Sequence, residues 1–470
     1  MRRTSAAFAA LLVLLGACHA TPTADAPRRR AVASAQSIED LEQRTFRFFW
    51  DTPNPHTWLV PDRWPTPSFS SIAAVGFGLT AYCIGAERGY VTREAARTRV
   101  LDTLQSLLSM PEGPQPAGVS GYHGFFYHFL DMNTAARYKD VELSTIDSTW
   151  LFAGVLVCQS YFDRDDPVEA QIRDAAERLY ARAEWDWVQP RPPYVCMGWY
   201  PESGYHTYDW RGYNEAMMVY ILALGSPTHP IDPAGWTAYT STYRWGEFYG
   251  QQFVQFAPLF GHQYTQMFID FRGIQDAYMR QHGIDYFENS RRATLSQRAY
   301  AIDNPGHWND YGAELWGLTA CDGPADTTID GRTYHTYWGR GAAEGDIRDD
   351  GTIAPTAAAS SIVFTPEISL AAIAAMQQQY GPLLYRKYGF ADSFNPTFRG
   401  TSQYGTVDPN LGWFSTDYLG IDQGPILAML ENYRSAFVWN TLKKNPHIVQ
   451  GLKRAGFTGG WLDERGNDVE

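Results

Sequence analysis

The chain of 470 residues carries 38 Lys+Arg against 51 Asp+Glu, a net charge of −13, and is 44% hydrophobic but only 19% charged. That composition supplies an ample core and excludes a disordered chain; the acidic balance, with no basic run that resembles a binding arm, argues against nucleic acid as a partner. Aromatic residues reach 15% (Trp 16, Tyr 29, Phe 25), serving either a large aromatic core or a cleft whose flat rings meet the apolar faces of sugars.

In chain order, Arg2 and Arg3 precede an apolar stretch over 6–15, too short to span a bilayer as a mature helix. Leu15-Gly16-Ala17-Cys18 has the form of a bacterial lipobox. Residues 1–17 therefore read as an export leader cleaved before Cys18, whose sulfur takes the lipid. His19, in place of a retention Asp, favours the outer membrane, so the expected location is the periplasm or outer membrane with the lipid as sole membrane contact. An ordinary secretory signal is the plainer alternative. Residues 18–36 form a tether rich in Pro, Ala and Arg, and 37–470 a single domain, expected as a monomer.

From Ser37 the pattern is helical. Ser37-Ile38-Glu39-Asp40 reads as a capping box opening the first helix. Asp166-Pro167-Val168-Glu169 supplies an N-cap, a Pro at the first helical position and a first-turn acid; Asp232-Pro233 and Thr365-Pro366-Glu367 repeat the signal. Further helices are predicted near 69–88, 92–109, 144–162, 213–224, 276–299, 366–379, 424–440 and 446–454, with no series of alternating strands. The fold class is all-α. Long loops over 51–68, 111–125, 186–212, 300–350 and 392–421 are rich in Gly, Trp, Tyr and Asp, and loops of that length usually carry function.

Several chemistries drop out. There is no G-x-S-x-G elbow, no H-E-x-x-H and no Walker loop. The run from Asp346 to Gly351 imitates an EF-hand start, but Arg348 and Ala357 occupy ligand positions. His123 and His128 read as satisfied loop histidines. Cys83, Cys158, Cys196 and Cys321 form no C-x-x-C pair and are compatible with one disulfide or with four thiols. No metal and no cofactor is expected. What remains is a set of acids beside aromatic and Gly-rich loops. Glu215, in Tyr213-Asn214-Glu215-Ala216-Met217, stands where a loop enters an apolar helix. Desolvation there would fit it to donate a proton, although a helix-capping role explains it equally. Asp422 precedes the predicted helix at 424–440, Glu142 and Asp147 flank Leu143-Ser144-Thr145-Ile146, and Asp350 sits in an acidic turn. Together these acids make the two-carboxylate arrangement of glycoside hydrolysis reachable.

Longer strings sharpen this. Leu59-Val60-Pro61-Asp62-Arg63, Gly76-Phe77-Gly78-Leu79-Thr80, Glu142-Leu143-Ser144-Thr145-Ile146-Asp147, Tyr213-Asn214-Glu215-Ala216-Met217, Pro258-Leu259-Phe260-Gly261-His262-Gln263-Tyr264, Asp350-Gly351-Thr352-Ile353-Ala354-Pro355 and Gly420-Ile421-Asp422-Gln423-Gly424-Pro425 run through the chain from about 38 to 455. The pattern resembles the bacterial glucoamylase-like domain family and, within it, the endo-β-1,2-glucanases of glycoside hydrolase family 144. The resemblance implies an (α/α)6 toroid with a sugar cleft formed by long loops at one end. It also implies cofactor-free hydrolysis of β-1,2-glucan to sophorooligosaccharides with inversion. By matching motifs it implies Glu215 as general acid and Asp422 as base, the water being activated through a substrate hydroxyl. Arg63, Trp210, Tyr213, His262 and Tyr418 would hold sugar rings, and Glu142, Asp147 and Asp350 would bind hydroxyls. Trp58, where the family motif often has Gly, and Asn133-Thr134-Ala135-Ala136 depart from the pattern. A helical-toroid polysaccharide lyase and a non-catalytic glucan-binding lipoprotein are the rival readings; endo and exo action both stay open.

Overall fold

The computed structural model describes residues 34–464, which belong to one compact unit; the leader, Cys18 and most of the tether expected from the sequence lie outside the described residues. The described chain forms sixteen helices: α1 Ala35–Asp51, α2 Ile72–Glu87, α3 Arg93–Ser109, α4 Thr145–Tyr161, α5 Pro167–Ala181, α6 Met217–Gly225, α7 Ala234–Ser241, α8 Phe260–Phe268, α9 Ala277–His282, α10 Tyr286–Asp303, α11 Pro355–Ala359, α12 Pro366–Leu384, α13 Gly420–Ser435, α14 Phe437–Leu442, α15 Pro446–Arg454 and α16 Gly460–Glu464. None is long and apolar enough to cross a membrane.

Burial sorts them into two layers. Nearly every residue of α2, α4, α6, α8 and α13 is buried; α2, α4 and α6 are also largely apolar around their circumference, whereas α8 and α13 enclose polar side chains. Helices α1, α3, α5 and α15 bury one stripe and expose the other. An enclosed inner set wrapped by amphipathic outer helices makes the fold a helical toroid. At the heart of the inner layer α2 and α4 cross backbone to backbone, because a Cβ on Gly76 or on Gly154 would overlap the facing main chain. One turn or more further along, Cys83 and Cys158 bring their sulfurs to 3.6 Å as two buried thiols.

Local signals mostly act as read. Asp166 caps α5 by accepting from the N–H groups of Val168 and Glu169, with Pro167 at the first position. Three boundaries shift. The first helix starts at Ala35 and is capped by Ser34, while the Ser37 hydroxyl donates across to Gln377. The helix predicted over 276–299 is broken by Gly283 in the left-handed region, and the one over 424–440 begins at Gly420 and turns at Ala436 (φ 56°). Asp422 thus lies inside the first turn of α13 rather than before it.

The sequence reading does not anticipate the short antiparallel ribbons of the loops. Ser70–Ser71, Leu143–Ser144 and Tyr418–Leu419 each run straight into an inner helix, α2, α4 and α13, and pair with Phe129–Leu130, Gly198–Tyr200 and Arg63–Trp64. Backbone bonds from Gly420 N–H to Asp62, Ile72 N–H to His128 and His128 N–H to Glu142 stitch these ribbons together. The N-termini of the inner helices are thereby gathered at one rim. In the loop beneath it, Trp58 adopts φ 60°, a left-handed backbone that costs an L-residue roughly 1–2 kcal/mol.

Because the α2–α4 crossing leaves no room for a methyl group, Gly154→Ala should lower unfolding stability by about 1–3 kcal/mol through overpacking. Gly312→Ala, at a site with nothing within 4 Å of the added carbon, should be close to neutral. Chemical denaturation of the two variants checks this; equal stabilities would mean that the helices part freely.

Candidate active site

Glu215 immediately precedes Ala216, the N-cap of α6, and that helix has no side-chain cap. Its carboxyl is only partly exposed. Burial raises its pKa to about 7, opposed by its own backbone N–H and helped by the negative charge of Asp147. A carboxyl still half protonated near neutrality is what a proton donor needs.

Asp147 lies in the first turn of α4, where the Ser144 hydroxyl donates to it at 2.6 Å. His128 faces it with Nε2 at 3.5 Å and places Nδ1 2.8 Å from Glu142. Burial, which would lower the imidazole's pKa, is outweighed by Asp147, Glu142 and Asp62, so His128 rises to about 9 and stays cationic. Glu142 is correspondingly held low, burial being outweighed by its bond to His128.

The ribbon pairing sets Arg63 beside Leu419, three residues before Asp422. Arg63 reaches Asp322 at 2.9 Å, Asp62 at 3.3 Å and Asp417 at 3.7 Å. Asp392 accepts the backbone N–H of Asp322 and the hydroxyl of Ser393 through one oxygen, leaving the other buried without a partner. The Asp422 carboxyl lies against that of Asp392; it is 2% exposed and also keeps one unpartnered oxygen. Burial and the charge of Asp392 push its pKa well up, and burial with Asp392 raises Asp322 to about 7 against the pull of Arg63. Crowded like charges of this kind hold protons at neutral pH. A cavity of about 650 Å³ opens against the cluster, lined by Arg63, Asp322 and Asp417 and by the rings of Phe69, Tyr337 and Tyr404.

Helix α8 ties the two halves together. The Tyr264 hydroxyl donates to the carbonyl of Ile421 at 2.7 Å, and the next residue, Thr265, donates to the carbonyl of Glu215 at 3.2 Å. Thr356 adds a bond to the carbonyl of Asp422 at 3.1 Å. The charges of Glu215 and Asp422 both act on the Tyr264 phenol.

The structure thus brings Arg63, Glu142, Asp147, Glu215 and Asp422 to one rim. The remaining expected sugar contacts stand in buried positions. Asp350 is wholly buried and bound by Arg340 through two 2.7 Å contacts. His262, 1% exposed, bonds the Phe256 carbonyl at 3.1 Å and faces Asn289; burial lowers it to about 4, so it is neutral. Tyr213 stacks on Tyr286 behind His262, Trp210 donates its indole N–H to Thr145 at 2.9 Å, and the Tyr418 hydroxyl accepts the Tyr388 N–H. All five are enclosed, at 8% exposure or less. His123 and His128 both have carboxylate partners, Glu184 and Glu142. Asp322, Asp392, Asp417 and the rings of Phe69, Tyr337 and Tyr404 are absent from the sequence reading. Phe69 stands at the start of the helix predicted over 69–88; the others are single residues in long loops, of which Tyr337 and Tyr404, 50% and 59% exposed, carry an aromatic signal. Among the described residues no group of His, Cys, Asp and Glu is arranged to hold a metal ion.

Comparison with known proteins agrees with this architecture. The family model described as "Putative glucoamylase" matches residues 207–446. An exo-β-1,2-glucooligosaccharide sophorohydrolase of Parabacteroides distasonis is 29% identical over 454 residues; the match covers 89% of this chain but 57% of that relative's length. A solved structure described as a "putative glucoamylase" from Bacteroides uniformis is 33% identical, with a TM-score of 0.76 over 90% of this chain and 97% of its own. An endo-β-1,2-glucanase from Chitinophaga pinensis is 28% identical, with a TM-score of 0.78 over 91% of this chain and 99% of its own. With its helical toroid, its rim of acids and these matches, the chain belongs to the glucoamylase-like family.

Proposed function

We propose that the protein is a glycoside hydrolase that cleaves β-1,2-glucan to sophorooligosaccharides. The observation that carries this reading is Glu215: a desolvated carboxyl with a pKa of about 7, fixed through α8 to a second carboxyl centre at Asp422. The activities of the relatives from Parabacteroides distasonis and Chitinophaga pinensis support it. We also take the toroid to be of the (α/α)6 type. In the mechanism, Glu215 protonates the departing glycosidic oxygen. Asp422, crowded by the negative charge of Asp392, is the base. It receives the proton of the attacking water through a sugar hydroxyl, consistent with the near-complete burial of Asp422. Arg63 keeps that charge in place, and Glu142 and Asp147 hold hydroxyls beside the cationic His128. Acid and base on opposite faces of the sugar give a single displacement.

The lipid anchor is proposed on the sequence of residues 2–18 alone. Cys18→Ser should move the protein from the membrane to the soluble fraction; co-fractionation of the variant with membranes would remove the anchor from the reading.

Glu215→Gln should reduce turnover of unactivated glucan by about 10²–10⁴-fold, the usual contribution of a general acid, while oligosaccharide binding persists. In the parent, kcat/KM should fall as pH rises through about 7, because Glu215 then loses the proton it must donate. The Asp147 charge raises that pKa, so Asp147→Asn should move the alkaline limb to lower pH. A limb that stays in place, or a Glu215→Gln loss under about tenfold, would return Glu215 to a structural role.

Single displacement on a β-linkage must release the α-anomer first. NMR of fresh product, recorded before mutarotation, reads this directly, and a β-anomer or a trapped glycosyl-enzyme would falsify the inverting assignment. A lyase would instead give an unsaturated, ultraviolet-absorbing product from a uronate polymer, and a capture protein would release no reducing ends.

A further inference from the structure

On the outer helices, the end of α1, the loop after it and the first half of α3 form a shallow groove of about 400 Å³. Its walls are Trp50, Trp58, Glu94, Thr98, Arg99 and Asp102, none of which lines the cleft beside Arg63. The Arg99 guanidinium lies over both indoles, 4.3 Å from the ring centre of Trp50 and 4.8 Å from that of Trp58, and donates to the Trp50 carbonyl at 3.2 Å. This clamp fixes two large flat rings at the surface, where both remain partly exposed. Trp58 does so from a left-handed backbone at φ 60°, in a turn closed by bonds from its N–H to the Asn54 carbonyl and from the Asn54 N–H to the Leu59 carbonyl.

The lining also selects a chemistry. One guanidinium, already engaged by two rings, stands with two carboxylates, so the groove has no surplus positive charge to hold an anion. Rigid indole faces, a threonine hydroxyl and carboxylates that accept hydrogen bonds suit a neutral polyhydroxylated chain. We propose that this groove is a second glucan-binding site, outside the catalytic cleft, that holds a neighbouring segment of the polymer the cleft cuts. The inference rests on the β-glucan reading above. Two attachment points on one chain would raise the local concentration of the polymer at the cleft and leave short oligosaccharides unaffected.

The test uses the whole protein in native gels cast with and without long-chain β-1,2-glucan, alongside kinetics on a short sophorooligosaccharide. Two variants disable the groove independently. Trp58→Gly removes one ring and relieves the strained backbone. Thr98→Arg places a long side chain across the groove from an exposed helix position. Both should weaken retention by the polymer roughly three- to tenfold and leave kcat/KM on the short oligosaccharide unchanged. Retention equal to that of the parent, a parallel loss of short-substrate turnover, or a parent that glucan does not retard would each overturn the proposal. A parent that is retarded but releases no reducing ends would instead defeat the hydrolase reading. Weakened retention in both variants would then still support the groove.

Discussion

Two consecutive hydroxyls on α8 set the geometry on which the candidate chemistry depends. Tyr264 and Thr265 reach in different directions, one to the carbonyl before Asp422 and the other to the carbonyl of Glu215. The acids belong to segments more than two hundred residues apart in the chain, and each is attached by main chain rather than by its own carboxylate. The carboxyls are thus left free to exchange protons while their separation is held by a rigid helix. Bonds of this buried, neutral kind contribute about 1 kcal/mol each to stability; their larger effect is to remove slack from a site that tolerates little of it.

The electrostatics of the rim follow from the same enclosure. N-terminal turns of α4 and α13 favour negative charge, yet burial works against it, and the carboxyls divide according to their partners. Glu142 is kept ionised by His128, and Asp350 by Arg340, whereas Glu215 and Asp422 lack a cation and hold protons higher. Arg63 serves Asp62, Asp322 and Asp417 at once, too few cations for the acids around it. The site therefore stores protons rather than balancing charges, which suits a reaction that needs one group protonated and another able to accept.

Much of this was legible in the sequence where local chemistry decides structure. Asp166-Pro167 starts a helix as read, and the unbroken apolar runs of α2, α4 and α6 mark the enclosed layer. Glu215 was visible as an acid entering such a run. Legibility failed where the fold joins distant single residues: Asp322, Asp392 and Asp417 carry no local signature, and their meeting with Arg63 depends on a two-residue ribbon too short to show alternation. It failed also for aromatic residues, since a ring in a loop reads the same whether it faces ligand or braces the loop. Trp210, Tyr213 and Tyr418 are buried, while Tyr337 and Tyr404 stand exposed.

The ribbons that feed the inner helices separate two kinds of change. Each acid-bearing segment is anchored below the rim by an enclosed helix, whereas the long excursions between ribbons return to nearly fixed take-off points. Loop length and composition can therefore drift, and segments can be inserted, with little effect on the spacing of Glu215 and Asp422. A scaffold built this way lets the loops change around a rim whose acids keep their places.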